Sequence, residues 1–252
     1  MCHNKSSAPP TPAHISIQQN RTPGTDPVPY LHASSDTGSG DTIVLLTDIF
    51  GVTPFYRHLA AMLAEKGHDV VIPDVFHRVG HATDPGRDAA LARRRQLDDR
   101  LAIEDIERTV AHTVDDQQTF GVLGFCLGGS FALLTAAAHP NQVTATYYAF
   151  PKGAPGAKVP VKPPLEAADA IDGPVLCHWG RDDYIDHEEI DQLEQILASA
   201  PGPSEIRWYD NAGHSFLAGL TEPNHPSTAA AHDSWQRTVE FFERYLTVGS
   251  AN

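Results

Sequence analysis

Gly124-Phe125-Cys126-Leu127-Gly128-Gly129 follows an apolar run, Phe120 to Phe125, and leads into a run of helical character, Leu127 to Ala138. Read outward from this hexapeptide, the order is strand, tight turn, helix, with a thiol at the tip of the turn. The spacing is that of a nucleophile elbow, G-x-S-x-G, with cysteine in place of serine. Glycine at 124 and 128 has a steric reason, because so sharp a turn brings a Cβ at either position against neighbouring backbone. The tip lies over a helix N-terminus, whose unpaired N–H groups and partial positive charge favour a thiolate and a developing oxyanion. A motif this short also fits a buried structural cysteine in a Gly-rich junction. The partners elsewhere in the chain decide between the two.

The 252 residues suffice for one α/β domain with a full core. The net charge of −14 argues against nucleic acid and against anionic membrane surfaces as partners. Cys2, Cys126 and Cys177 are the three cysteines, too few and too scattered for a disulfide framework, so a reducing, cytoplasmic setting is expected. The N-terminal stretch has no apolar core of the signal-peptide kind, and no run of about 18 apolar residues suggests a membrane span.

Residues 1–13 are Ser/Pro-rich and read as a flexible tail, with a single domain over 14–252. Short edge strands are expected at His14–Gln18 and Val28–His32. Thr42–Thr47 and Asp69–Pro73 read as buried strands flanking a helix that Thr53-Pro54 opens and Gly67 closes. Arg87–Val114 is helical in two segments, and its cluster of Arg93, Arg94, Arg95 and Arg100 against Asp98 and Asp99 reads as a solvated face. Beyond the elbow, strands are expected at Val143–Phe150, Pro174–His178 and Glu205–Tyr209, and helices at His187–Ala198 and Ala229–Leu246. Pro151–Pro164 reads as a loop suited to cover a site. Strands alternating with helices predict an α/β fold with a mostly parallel sheet, helices on both faces, and a ligand beyond the strand C-termini.

A thiol needs a base to attack at neutral pH, and an imidazole needs a carboxylate to orient it. Cys126, then Asp182 or Asp183, then His214 each follow an expected strand, in the chain order nucleophile, acid, histidine. Counting from the strand end favours Asp183. Counting back from the following helix favours Asp182, and the balance leans slightly to Asp182.

These pieces resemble the dienelactone hydrolase (carboxymethylenebutenolidase) family of the α/β-hydrolases. The likeness runs through Asp48-Ile49-Phe50-Gly51, Pro73-Asp74-Val75-Phe76-His77-Arg78, the elbow, Tyr147-Tyr148 and Ala212-Gly213-His214-Ser215-Phe216, in order from about residue 40 onward. The resemblance implies a Cys-His-Asp hydrolase of a small lactone or ester, with Cys126 forming an acyl-enzyme and His214 as base. It implies an oxyanion hole from the N–H groups of Leu127 and Ile49, and Arg78 on a substrate carboxylate. Asp48 stands where the family has glutamate, and Ala218 where it has a second arginine. Asp48 and Tyr147 are expected to face the substrate, although Tyr147 and Tyr148 alternate, so one of them at most does so.

No metal or cofactor is implied: His77 and His81 lie four apart with no third ligand, and no Gly-rich loop has nucleotide-binding spacing. His178 and Cys177 read as core residues. Phe50, Phe76 and Trp179 fit either a pocket wall or a cover over the sheet edge. The expected partner is a small-molecule lactone or ester, and the expected state a monomer or homodimer. The alternatives are a cysteine thioesterase or other acyl hydrolase on this scaffold, and a catalytically silent binding protein.

Overall fold

The computed structural model describes residues 8–35, 40–80, 84–115 and 117–246. Most of the expected N-terminal tail, Cys2 and His81 lie outside the described residues. The chain runs β1 (Ile15–Arg21), β2 (Pro29–Ser35), β3 (Thr42–Leu46), α1 (Pro54–Ala64), β4 (Asp69–Pro73), α2 (Arg87–Arg94), α3 (Asp99–Thr113) and β5 (Phe120–Phe125). It continues α4 (Leu127–Ala136), β6 (Gln142–Tyr147), β7 (Val175–Gly180), α5 (His187–Ser199), β8 (Ser204–Tyr209) and α6 (Thr228–Leu246).

The eight strands form one sheet in the order β1-β2-β4-β3-β5-β6-β7-β8. From β4 to β8 every pairing is parallel, and β2 runs antiparallel to both its neighbours at one edge. Strand period decides which helices cover which face. Ile43 and Leu45 join Leu59 and Leu63 of α1 and Trp235 and Phe242 of α6. Val44 and Leu46 join Ile106 and Val110 of α3 and Phe131 of α4. A strand buried on both faces carries no polar alternation, hence the unbroken apolar run of Thr42–Leu46.

From β3 the chain winds outward to β4, then returns to place β5 on the other side of β3. This reversal opens a crevice beyond the C-terminal ends of β3 and β5, where open α/β sheets take ligands. Leu46 pairs with Gly124, so the loop after β3 and the elbow after β5 start side by side.

Two expectations change here. Arg93 and Arg94 are buried, at 8% and 1% exposure, and only Arg95 and Arg100 belong to a solvated face. The Arg94 fork is paired with Asp99 and donates to the carbonyls of Ala154 and Pro155, at 2.8 and 3.2 Å. Asp99 N–H donates to Val159 O, and Lys158 N–H to Leu97 O. The proline-rich loop is thereby stapled to the α2–α3 corner. Thr53 does stand at the N-cap of α1, but its hydroxyl makes no cap bond.

Candidate active site

Cys126 follows β5 and caps α4 with φ 55° and ψ −115°, a backbone conformation sparsely populated by side-chain-bearing residues. A Cβ on Gly124 would lie 2.4 Å from Gly128 O, and one on Gly128 would lie 2.3 Å from Leu46 O and 2.6 Å from Thr47 O. Both glycines are therefore required by contact with backbone. The contact with Leu46 and Thr47 seats the start of α4 on the end of β3. Leu127 is the first helical residue, and the leading N–H groups of a helix have no acceptor within it.

His214 lies in the loop after β8, and both oxygens of Asp183 stand 3.0 Å from its Nδ1. A carboxylate only accepts, so Nδ1 carries the proton and donates, which leaves Nε2 as the basic nitrogen of the neutral ring. The pair is assembled by backbone. Asp183 N–H closes a turn onto Gly180 O, Asp182 N–H donates to Ala212 O, and a Cβ on Gly180 would lie 1.9 Å from Ala212 O. The structure therefore corrects the lean toward Asp182. Asp183 is buried against His214, while the Asp182 residue is exposed and its N–H serves the loop. The His214 ring is walled by Tyr184 at 4.6 Å, Tyr148 at 4.9 Å and Phe150 at 5.5 Å between centroids.

The loop Asp48–Gly51 forms a turn, with Gly51 N–H donating to Asp48 O at 3.0 Å. Asp48 N–H donates to the Tyr56 hydroxyl at 3.3 Å, and Phe50 N–H to Asp48 Oδ1 at 2.8 Å. The Ile49 carbonyl accepts from Arg93 Nη2 at 3.0 Å. Among the described residues nothing accepts the Ile49 N–H.

Arg78 and Tyr147, expected at the substrate, are placed otherwise. Arg78 is bonded through Nε and Nη2 to both oxygens of Asp105, at 2.9 and 2.8 Å, and through Nη2 to Asp26 at 2.6 Å. Asp105 is fully buried and also accepts from His77 and Arg108, so this arginine neutralises protein charge. Tyr147 points into the core, its hydroxyl 2.7 Å from Thr238 Oγ1, and it is Tyr148, just past the end of β6 with φ 41°, whose ring meets His214. The Asp48 residue is fully buried, and its carboxylate is engaged with Phe50 N–H. Phe76 and Trp179 are core residues at 1% and 0% exposure, whereas Phe50 lines a cavity of about 520 Å³ together with Tyr30, Arg57 and Arg93.

The sequence places Arg93 on a solvated face and assigns no role to Tyr184 or Phe150. For Arg93 a signal existed: Ala90, Arg93, Arg94 and Leu97 follow helical spacing on one buried face, which the charge count obscured. Among the described residues no cluster of His, Cys, Asp or Glu is arranged to hold a metal ion, and no helix is long and apolar enough to cross a membrane.

A model of the dienelactone hydrolase family matches residues 29–246. Carboxymethylenebutenolidase 2 of Cupriavidus pinatubonensis is 33% identical over 193 residues, covering 76% of this chain and 80% of its own length. The carboxymethylenebutenolidase of a Pseudomonas species is 31% identical over 224 residues, covering 84% and 88%. Among solved structures, a Klebsiella pneumoniae protein provisionally named as a dienelactone hydrolase matches with a TM-score of 0.79 at 25% identity, over 92% of this chain and 99% of that one.

Proposed function

The chain belongs to the dienelactone hydrolase family, and on that premise we propose that it cleaves a small lactone or carboxylic ester through Cys126, His214 and Asp183 by way of an acyl-enzyme. The observation that carries this reading is the Asp183 carboxylate astride His214 Nδ1 at 3.0 Å, on loops at the same end of the sheet as the Cys126 turn.

In the proposed reaction His214 Nε2 takes the Cys126 proton as the sulfur attacks the substrate carbonyl carbon. The carbonyl π electrons move to oxygen, and the N–H groups of Leu127 and Ile49 receive the oxyanion. Collapse restores the carbonyl and breaks the C–O bond, and the leaving alkoxide takes the proton from Nε2. In a lactone that alcohol stays attached to the acyl group. His214 then deprotonates a water that attacks the thioester, and the sulfur leaves with its proton restored. Asp183 keeps the imidazole in its productive tautomer and stabilises the transient imidazolium.

Arg78 is not proposed as a clamp for a substrate carboxylate. The Arg78 fork is occupied by Asp105 and Asp26, Ala218 offers no cation, and the groups around His214 are aromatic. The test is turnover of matched lactones and esters, with and without a carboxylate, by the wild type and by Cys126→Ala and His214→Ala. The reading expects neutral substrates to be turned over by the wild type and by neither variant. Undiminished turnover in Cys126→Ala contradicts it.

A further inference from the structure

Arg93 is a cation enclosed beside the oxyanion loop, in a place that long-range charge pairing alone does not explain. It is 8% exposed, its guanidinium carbon lies 4.2 Å from the Phe76 ring centroid, and its Nε is buried with no partner among the described residues. Burial lowers its pKa, opposed by the charges of Asp74 and Asp48, but a guanidinium stays charged throughout. A Cβ on Gly51, where φ is +71°, would stand 3.2 Å from Nη2, so the loop closes tightly over the guanidinium.

What Arg93 grips matters. In the Asp48–Gly51 turn the Ile49–Phe50 peptide is the central one, the plate whose rotation converts one turn type into another. Asp48 Oδ1 holds the N–H of that plate and Arg93 Nη2 holds its oxygen. The Tyr56 hydroxyl and the Gly51 N–H fix the turn at Asp48. With every neighbour tied, the Ile49 N–H is left presented without an acceptor. Releasing the Arg93 end frees the plate to rotate and relaxes the adjoining Asp48–Ile49 peptide, which carries that N–H.

We propose that Arg93 is a positioning residue for catalysis, holding the Ile49 carbonyl so that the Ile49 N–H keeps its aim at the substrate oxyanion. The proposal rests on the oxyanion role given to Ile49 above, and it goes beyond that role by naming what sets it.

The experiment compares wild type, Arg93→Met, Arg93→Gln, Arg93→Lys and Cys126→Ala on a neutral p-nitrophenyl ester, with kcat normalised to titrated thiol sites. A trifluoromethyl ketone, whose sulfur adduct carries an oxyanion, reports on the same donors. Deleting one oxyanion donor outright costs about 10²–10³ in kcat. Misaiming it is expected to lower kcat by roughly 10–100-fold in the neutral variants, with KM within about threefold of wild type. Ketone affinity should fall by a similar factor, and Arg93→Lys should recover part of both losses. Should Arg93→Met not fold, Arg93→Gln carries the same expectation. Unchanged kcat and ketone affinity in a folded neutral variant overturn the proposal. So does a loss confined to KM for carboxylated esters, which would make Arg93 a substrate clamp. Turnover retained in Cys126→Ala removes the underlying reading instead, whereas a dead Cys126→Ala beside an intact Arg93→Met removes only this inference.

Discussion

A cysteine, a tyrosine and a histidine lie within the strands of the sheet, and a second such set lies in turns beyond the C-terminal ends of strands. Cys177, Tyr147 and His178 lie within β6 and β7, each at 0% exposure. Cys126, Tyr148 and His214 lie in the turns beyond β5, β6 and β8. In the inner trio every polar side-chain atom of Tyr147 and His178 is spoken for: Tyr147 Oη and His178 Nε2 share Thr238 Oγ1, and His178 Nδ1 meets the Tyr209 hydroxyl. Burial pushes the Cys177 thiol up to about 12 and the His178 imidazole down to about 3, which makes both inert near neutrality. The outer trio sits on unusual backbone. Cys126, Tyr148, and Ser215 beside His214 all have positive φ, at 55°, 41° and 68°. Strain of this kind gathers at functional sites. The difference teaches that position on the strand, and not residue type, sets the surroundings of each thiol and each imidazole.

The sharpest way to break the comparison is to exchange the roles of the thiols. Cys126→Ala is expected to lower kcat on an activated ester by about 10⁶-fold, the scale of losing a triad nucleophile. Cys177→Ala should leave kcat within about twofold and cost about 1 kcal/mol of stability, read from denaturant midpoints. The next largest effect separates the two adjacent aspartates. Asp183→Asn should lower kcat by roughly 10³–10⁴-fold by spoiling the His214 tautomer, while Asp182→Asn stays within about twofold. Equal losses in steady-state assays of the two variants would undo the distinction.

The inner histidine gives a prediction in pH. Its pKa is depressed from an ordinary 6.5 to about 3, mainly by burial, with the Arg237 charge adding to the fall. The unfolded chain therefore binds a proton that the folded one refuses. Stability from this group is complete above about pH 6.5 and declines as pH falls toward 3, by up to about 1.4 kcal/mol per pH unit. His178→Asn should flatten the acid limb of a stability–pH curve, and an unaltered limb would mean that His178 takes up a proton without penalty. Smallest of all, Tyr147→Phe removes one hydroxyl from Thr238 and should cost about 1 kcal/mol in thermal or chemical unfolding, with kcat unchanged. A drop in kcat would mean that the inner trio communicates with the outer one.

The alternation of strands and helices and the elbow were legible because their signals are local and steric. An apolar run followed by Gly-x-Cys-x-Gly admits few backbones, and the 2.4 Å approach of a Gly124 Cβ to Gly128 O is the physical content of that motif. Three features were not legible, each for a definite reason. Asp182 and Asp183 differ by one residue within a turn, and two counts disagree: the one from the strand end matches the Asp183 N–H to Gly180 O closure, the one back from the helix does not. Tyr147 and Tyr148 exchange their expected roles because β6 ends between them and φ turns positive at Tyr148. Arg93 and Arg94 were hidden by their own charge. A run of arginines reads as solvent-facing, and their burial is made tolerable by the Asp99 carboxylate for Arg94 and by loop carbonyls brought from distant segments, Ile49 for Arg93 and Ala154–Pro155 for Arg94.

The central claim, that Cys126 and not Cys177 carries the acyl group, is tested most directly by trapping. The protein is quenched in acid during turnover of a slow acyl ester, digested, and its peptides are weighed. The account predicts one acyl group, found on the peptide containing Cys126 and absent from Asp183→Asn under the same exposure. An acyl group on Cys177, or none in an enzyme that is demonstrably turning over, would contradict it.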